Sequence, residues 1–504
     1  MTTEDSICSL SIELPYKTPI SARKRLKLDN EQEIEIVNED RISRLPTKLL
    51  HKILSFLDMK YVVQTSILST KWKDLWTSLP TLNFNCNNIC ESKNKTAKDD
   101  GEQFMKFVDQ VFTHRKGSNI HKLQLFYNKK DDLQRKRVYP WIRSSIQDNV
   151  KELDIHLLSS SIQVPICLFS CKSLTVLKLD FGLFQRSIDI PRSVSLPRLK
   201  NLHLQSVWFD DGELTSMFFS SCPVLESLTI LGCHFHNMAI LLIDCLNLKH
   251  LTIENCSDGS DYVDLVHCKI GIQAPKLLSF RCKDHMSRNY IFLLISVVRV
   301  DLDMELEKIF EYLRKNGEEL PASKKEEYAQ NMISLLIQVS NAKALTLSSW
   351  LIEVISKPPA LLQGLPLQFH ILKYLKLKTW FSRECVCAIL NLLTISPKVE
   401  TLIVELSKML VNPTDMGEGQ ETELSLQCMD HLKFVTIQGF LGGLNGISFL
   451  EVLLKNATVL EKMVILYPKD LAPGKKQGLK QLSKKILQFP RASSNVAISF
   501  PSTD

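Results

Sequence analysis

The sequence predicts an α/β chain in which a small unit of three helices is followed by an irregular solenoid of parallel strands. Three observations carry that expectation. Apolar residues between Arg41 and about Trp76 recur at three- and four-residue steps, as on one face of a helix. From Leu174 to Leu248, a motif of leucine, two residues, leucine, one residue, leucine or isoleucine returns every 23–26 residues, inside the period of leucine-rich repeats. A length of 504 residues is also too great for one compact core at roughly 150 residues per domain.

Composition narrows the function classes. With 44% hydrophobic and 23% charged residues, wholesale disorder is excluded. Lys plus Arg 62 against Asp plus Glu 55 leaves +7, too small an excess to point to direct nucleic-acid binding. Fourteen cysteines fall far below the roughly 8–10% of a disulfide scaffold, so a reducing compartment, nucleus or cytoplasm, is expected. The N-terminus has no apolar signal core, and Ile291 to Val298, the most apolar run, is well short of the roughly twenty residues of a membrane span.

The elements follow in chain order. Residues 1–38 are polar and aperiodic and read as a tail, in which Arg23, Lys24, Arg25 and Lys27 form a candidate nuclear import signal. In residues 39–84, Leu45, Leu49, Leu50, Ile53, Leu54 and Leu57 form one apolar stripe, with Pro46 where a first helical turn tolerates it. Val62, Val63, Ile67 and Leu68 then mark a second helix, and Trp72, Leu75 and Trp76 a third. So small a unit hides little apolar surface by itself and is expected to complete its core on a partner. Residues 85–103 are rich in Asn, Lys and Asp and read as a linker.

The repeats occupy 104–427. Clear copies begin at Leu174, Leu199, Leu225 and Leu248; looser ones begin at Ala344, Leu372, Val399, Leu432 and Leu460, with weak early copies near Leu123 and Val150. Alternate residues of a strand point to one side, so two of the three leucines enter the core while the residue between them faces out. One such unit cannot cover its apolar edge, and stacked units cover one another, with helices or irregular turns outside the sheet. A charged insertion is expected near 305–331 and a polar one at 411–423. Cys233 and Cys256 fall just after strands, where such repeats place a small inward residue. No pair of C-x₂-C spacings suggests zinc.

Two segments resemble a known family. Asp40 to Pro46, Leu49 to Leu57 and Thr65 to Trp76 closely resemble an F-box, with mild departures at Thr70 and Lys73. Cys428 to Lys433, Phe449 to Met463 and Pro490 to Ser494 look like the FBD region of plant F-box proteins, here 428–503. With the repeats, the resemblance to the plant F-box/FBD/leucine-rich-repeat family spans roughly 39–503.

That resemblance implies a non-catalytic substrate receptor of an SCF-type cullin-RING ubiquitin ligase. The F-box would dock on a Skp-type adaptor, and through it a cullin, while the repeats hold a target protein for ubiquitination. Leu45, Pro46, Leu49, Ile53, Leu57, Leu68, Trp72 and Trp76 occupy the positions such F-boxes use at the adaptor interface or in their own supporting core. Target binding is expected on the outward strand residues, such as Lys178, His203, Thr229, Thr252 and Lys376. A non-degradative F-box scaffold and a small-molecule co-receptor are the alternatives. No nucleophile elbow, phosphate loop or metal-protease helix is present, so no catalytic residue, metal or cofactor is assigned. Gly439, Gly442, Gly443 and Gly446 read as a turn.

Overall fold

Each leucine motif forms one short strand, and the strands lie side by side in chain order. The structure is a computed structural model that describes residues 42–89, 97–115, 117, 119–128, 134–158, 164–182, 187–235, 238–254, 268–307, 310, 320–356, 368–406, 428–468 and 473–501. Among them, fifteen strands from Thr81–Asn85 to Ala497–Ser499 make one sheet, each pairing parallel with its neighbour. Leu82, Leu123, Leu153, Leu177, Leu202, Leu228 and Leu251 occupy one row of it. The row two residues on holds Phe84, Leu125, Ile155, Leu179, Leu204, Ile230 and Ile253. Both rows are buried, as alternation with a period of two requires.

The first leucine of the motif is buried too, so all three enter the core and not two. Leu199, Leu225 and Leu248 sit in tight turns, where their N–H groups donate to Leu196, Cys222 and Cys245 carbonyls at 3.2, 3.1 and 3.1 Å. The turn folds the side chain under the sheet before the strand begins. Neighbouring units are then stitched at the same level, since the Lys200 and Asn201 N–H groups both donate to the Thr175 carbonyl, at 2.8 and 3.1 Å.

Helices cover much of the inner side, among them Gln134–Gln147, Gly212–Ser220, Arg383–Thr394 and Leu444–Asn456. Between them the outer layer changes to strands. Ile240–Asp244, Lys269–Ala274 and Tyr290–Ile295 form a second, three-stranded parallel sheet, with Lys269–Ala274 in the middle. A sheet that short leaves unpaired backbone groups at both edges, which would be costly where they are covered. Side chains from flanking helices satisfy them. Ser216 Oγ accepts from the Leu242 N–H at 3.0 Å on one side. On the other, Gln338 Oε1 accepts from the Phe292 N–H at 2.6 Å and its Nε2 donates to the Tyr290 carbonyl at 3.1 Å.

Three sequence expectations change. The stretch 85–103 is not a linker throughout: Cys86 and Ile89 are buried in a short helical turn, Cys86–Ile89, and a long helix runs from Ala97 to His114. The first strand, Thr81–Asn85, crosses the expected boundary at 84. The second half of the expected insertion at 305–331 belongs to the helix Ala322–Gln338, whose Tyr328, Met332, Ile333 and Leu336 are core, so its charges sit on the outer face of a connecting helix. The interruption at 411–423 lies outside the described residues, as do Arg23, Lys24, Arg25 and Lys27.

Candidate protein-docking surfaces

The front unit is built from two α-helices, Thr47–Leu54 and Met59–Gln64, and two 3-10 turns, Thr65–Ile67 and Leu75–Ser78. The third helix expected around Trp72 is thus a succession of turns; Ser69, Thr70 and Asp74 favour local turns over a continued helix. Pro46 opens the first helix with φ −57°. Asp58 opens the second: its Oδ1 accepts from the Lys60 N–H at 2.9 Å and its Oδ2 from the Asn85 N–H at 2.8 Å. Burial pushes the Asp58 carboxyl up, against those two N–H groups, which pull it down.

The single apolar stripe read from the sequence is two faces. Leu50, Leu54, Met59, Val62, Trp72, Leu75 and Trp76 point inward and are buried. Leu45 is half-buried against the same core. Pro46, Leu49, Ile53, Leu57 and Leu68 point outward. The eight residues expected to serve adaptor docking or its support therefore divide. Trp72 and Trp76 are support, Trp72 being fixed by its Nε1 donating to Ser43 Oγ at 2.7 Å. Four more large apolar side chains of this unit are exposed and were not among the eight: Ile42, Phe56, Tyr61 and Ile67. The signal was present, because apolar pairs at Leu49–Leu50, Ile53–Leu54 and Phe56–Leu57 make the stripe too wide for one buried face. Lys52 lies over the Phe56 ring at 5.1 Å, so the rim of this surface is basic.

On the repeats, all five residues expected at a target surface fall on one row of the outward face. Reading along the register, Asp154, Lys178, His203, Thr229, Thr252, Arg281, Asp301, Thr346 and Lys376 are successive neighbours. The row is laced by ion pairs: Lys178 to Asp154 at 3.6 Å, Arg281 to Glu254 at 3.3 Å, and Lys376 to Glu405 at 2.9 Å. Glu405 holds the Lys376 ammonium above its ordinary range. Lys378 reaches across the intervening strand to Asp303 at 3.2 Å. Beside this row His156 pairs with Asp180 at 2.5 Å and stacks on Phe126 with 4.4 Å between ring centroids.

Among the described residues no three His, Cys, Asp or Glu side chains gather as a metal site, and no helix is long and apolar enough to cross a membrane. Cys233 is buried with its Sγ on the Leu204 carbonyl at 3.5 Å, and burial pushes its thiol up to about 12. Such a thiol is a packing group and not a nucleophile. Cys256 lies outside the described residues. Gly439 and Gly442 have φ of +78° and +85°, as turn residues do.

A short helical unit with exposed large apolar side chains is thus joined to a parallel sheet of leucine repeats. Family models agree. Residues 42–84 match the F-box domain, 138–267 the LRR repeats of FBD-associated F-box protein At5g56370, and 425–465 the FBD. The chain is 28% identical over 373 residues to F-box/LRR-repeat protein At4g14103 of Arabidopsis thaliana, covering 73% of this chain and 92% of that one. It is 28% identical over 495 residues to F-box/FBD/LRR-repeat protein At1g78750 of the same plant, covering 94% and 98%. With FBD-associated F-box protein At4g10400, also of Arabidopsis thaliana, it shares 33% over 263 residues, 51% of this chain and 58% of that one. The chain is thus similar along most of its length to plant F-box/FBD/LRR-repeat proteins and matches the models of all three of their domains.

Proposed function

We propose that the chain is the substrate-recognition subunit of an SCF-type cullin-RING ubiquitin ligase. The observation that carries this reading is that residues 42–84 match the F-box domain and leave Leu49, Ile53, Phe56, Leu57, Ile67 and Leu68 exposed. So many exposed large apolar side chains in so short a unit mark a docking site, and a Skp-type adaptor fits it. Residues 42–84 are then the F-box, the parallel sheet that begins at Thr81 is the leucine-rich-repeat solenoid, and 428–503 is the FBD region that closes it. The basic cluster Arg23, Lys24, Arg25 and Lys27 is a candidate nuclear import signal, and the protein works in the nucleus, the cytoplasm or both. The outward face of the repeats holds a protein target. The chain supplies proximity, raising the local concentration of target lysines near a charged conjugating enzyme, and the chemistry belongs to the other subunits.

The full chain mixed with a purified Skp-type adaptor should co-migrate with it in gel filtration and recruit the cullin. Replacing Leu49 and Ile53 by Asp should abolish co-migration with the melting temperature unchanged. A double variant that still co-migrates fully would refute the assignment.

A further inference from the structure

The outward face of the long sheet changes character near its end. From Gln124 through Thr346 the central row consists of amides, hydroxyls, a histidine and charged groups. After Lys376 the same row reads Ile403, Thr436 and Val464. One row below, Thr401, Phe434 and Lys462 are neighbours. Phe434 is 42% exposed, and Ile403 and Val464 sit diagonally beside it on the two flanking strands, within reach of an aromatic side chain. The fold does not need an aromatic there, since Asn201, Ser227 and Ser279 take the equivalent place on earlier strands.

The charges around this patch are unbalanced. Glu400 is held by Lys373 at 2.7 Å and Glu405 by Lys376 at 2.9 Å, and the exposed Glu461 stands beside Lys433, its N–H donating to the Lys433 carbonyl at 2.9 Å. Lys433, in the turn just before the Phe434 strand, acts on Glu400, which leaves Lys462, directly opposite Phe434, as the exposed cation with no ion-pair partner among the described residues. An apolar group beside a spare cation is complementary to an apolar side chain flanked by carboxylates.

We propose that the patch made by Phe434, Ile403, Val464 and Lys462 is where the protein target docks, and that the target segment presents an apolar anchor flanked by acidic residues. The proposal rests on the receptor reading above and narrows it from the whole outward face to the FBD end.

Two pools of fluorescein-labelled twelve-residue peptides test it. Both carry a Phe or Leu centre, flanked by Asp and Glu in one and by Lys and Arg in the other. Each is titrated against the full chain, alone and with the adaptor. The acidic pool should bind saturably and the basic pool should not. Phe434→Ser should weaken acidic-pool binding by about tenfold or more, as loss of a central aromatic anchor does. Lys462→Glu, a second change at an exposed site, should weaken it and reduce its salt dependence. The proposal is overturned if the acidic pool does not saturate, if both variants bind it as the native chain does, or if the basic pool or a single-stranded oligonucleotide competes equally well. It is also overturned if the patch proves to be a self-association site, seen as a concentration-dependent mass increase that Phe434→Ser removes. Acidic-pool binding without adaptor co-migration would refute the ligase reading and uphold the patch; adaptor co-migration without acidic-pool binding would do the reverse.

Discussion

Removing Phe56 and Ile67 together separates a docking face from a supporting core. Phe56 is 75% exposed and Ile67 83%, so neither contributes much to the folded chain by itself. Full burial of such a side chain is worth about 1.5–3 kcal/mol. Scaled by the surface each still has to lose, Phe56→Ala with Ile67→Ala should cost adaptor binding roughly 3–4 kcal/mol, or on the order of a few hundredfold in Kd. Trp72 is the counterpart. It is 6% exposed and its Nε1 donates to Ser43 Oγ, so Trp72→Ala opens a cavity and should cost about 3–5 kcal/mol of stability. Titration calorimetry with the adaptor and denaturant melts of the free chain read the two effects separately. The first variant should lose binding with its melt intact, and the second should lose stability. If the Phe56 and Ile67 variant binds within about threefold of the native chain, or melts as early as Trp72→Ala, the division into two faces is wrong.

Three further expectations concern the repeats. Gln338→Leu strands the Phe292 N–H and the Tyr290 carbonyl at the edge of the small sheet and should lower stability by about 1–3 kcal/mol in a denaturant melt, with Gln338→Glu, which keeps the acceptor, falling between. Asp284 is buried with Arg288 Nε at 2.7 Å and the Tyr290 hydroxyl at 2.5 Å. Asp284→Ala should therefore cost about 3–5 kcal/mol, and Asp284→Leu with Arg288→Met should recover most of it, because no buried charge is left unpaired. The Glu226 carboxyl is held below its ordinary value of 4.5 by Lys249 and then Lys200. A lowered carboxyl stabilises the fold above its unfolded value and loses that contribution as pH falls through the folded one. Glu226→Gln should thus melt earlier than the native chain near pH 6, and the two melting curves should converge in acid below the lowered value.

The parallel sheet was legible because its cause is local. A period of two in Leu174 to Leu179 or Leu225 to Ile230 dictates which side chains go in, and the repeat length dictates what lies alongside. The burial of Leu199 and Leu225 was not legible, since it depends on a turn that tucks the side chain below the sheet. The helix Ala97–His114 was hidden by its first turn: Lys98, Asp99, Asp100 and Gly101 read as loop, and the three- and four-residue spacing starts only at Phe104 and continues through Val108 and Val111. The small sheet was missed because Ile240–Asp244 and Tyr290–Ile295 are apolar on nearly every residue, and a run without alternation does not declare its partner. Its edge caps, Ser216 and Gln338, lie on helices far away in sequence and carry no motif. At the docking face the chemistry was legible and the direction was not, since the spacing of Leu49, Leu50, Ile53 and Leu54 places them on a helix without saying which neighbour covers which side.

The join between the front unit and the sheet bears on how a receptor of this kind would work. Asp58 bonds the first strand through the Asn85 N–H at 2.8 Å, Lys60 Nζ donates to the Asn88 carbonyl at 2.5 Å, and Arg115 Nη1 donates to the Leu79 carbonyl at 2.6 Å. Leu79, Leu82 and Phe84 continue the core of the front unit into that of the repeats, with Phe84 stacked 6.2 Å from Phe112 on the long helix. Part of the support that so small a unit lacks is therefore supplied by its own chain, and the outward face alone is left for a partner. The two surfaces are also not joined by a flexible link. Phe434 lies twelve strands beyond Thr81–Asn85 in the sheet order, and at about 4.8 Å per strand that is roughly 58 Å of contour. A target seated there would be presented at a distance fixed by the number of repeats. Whether one of its lysines is modified would then depend on where that lysine stands on the target, and not on how far a tether can swing.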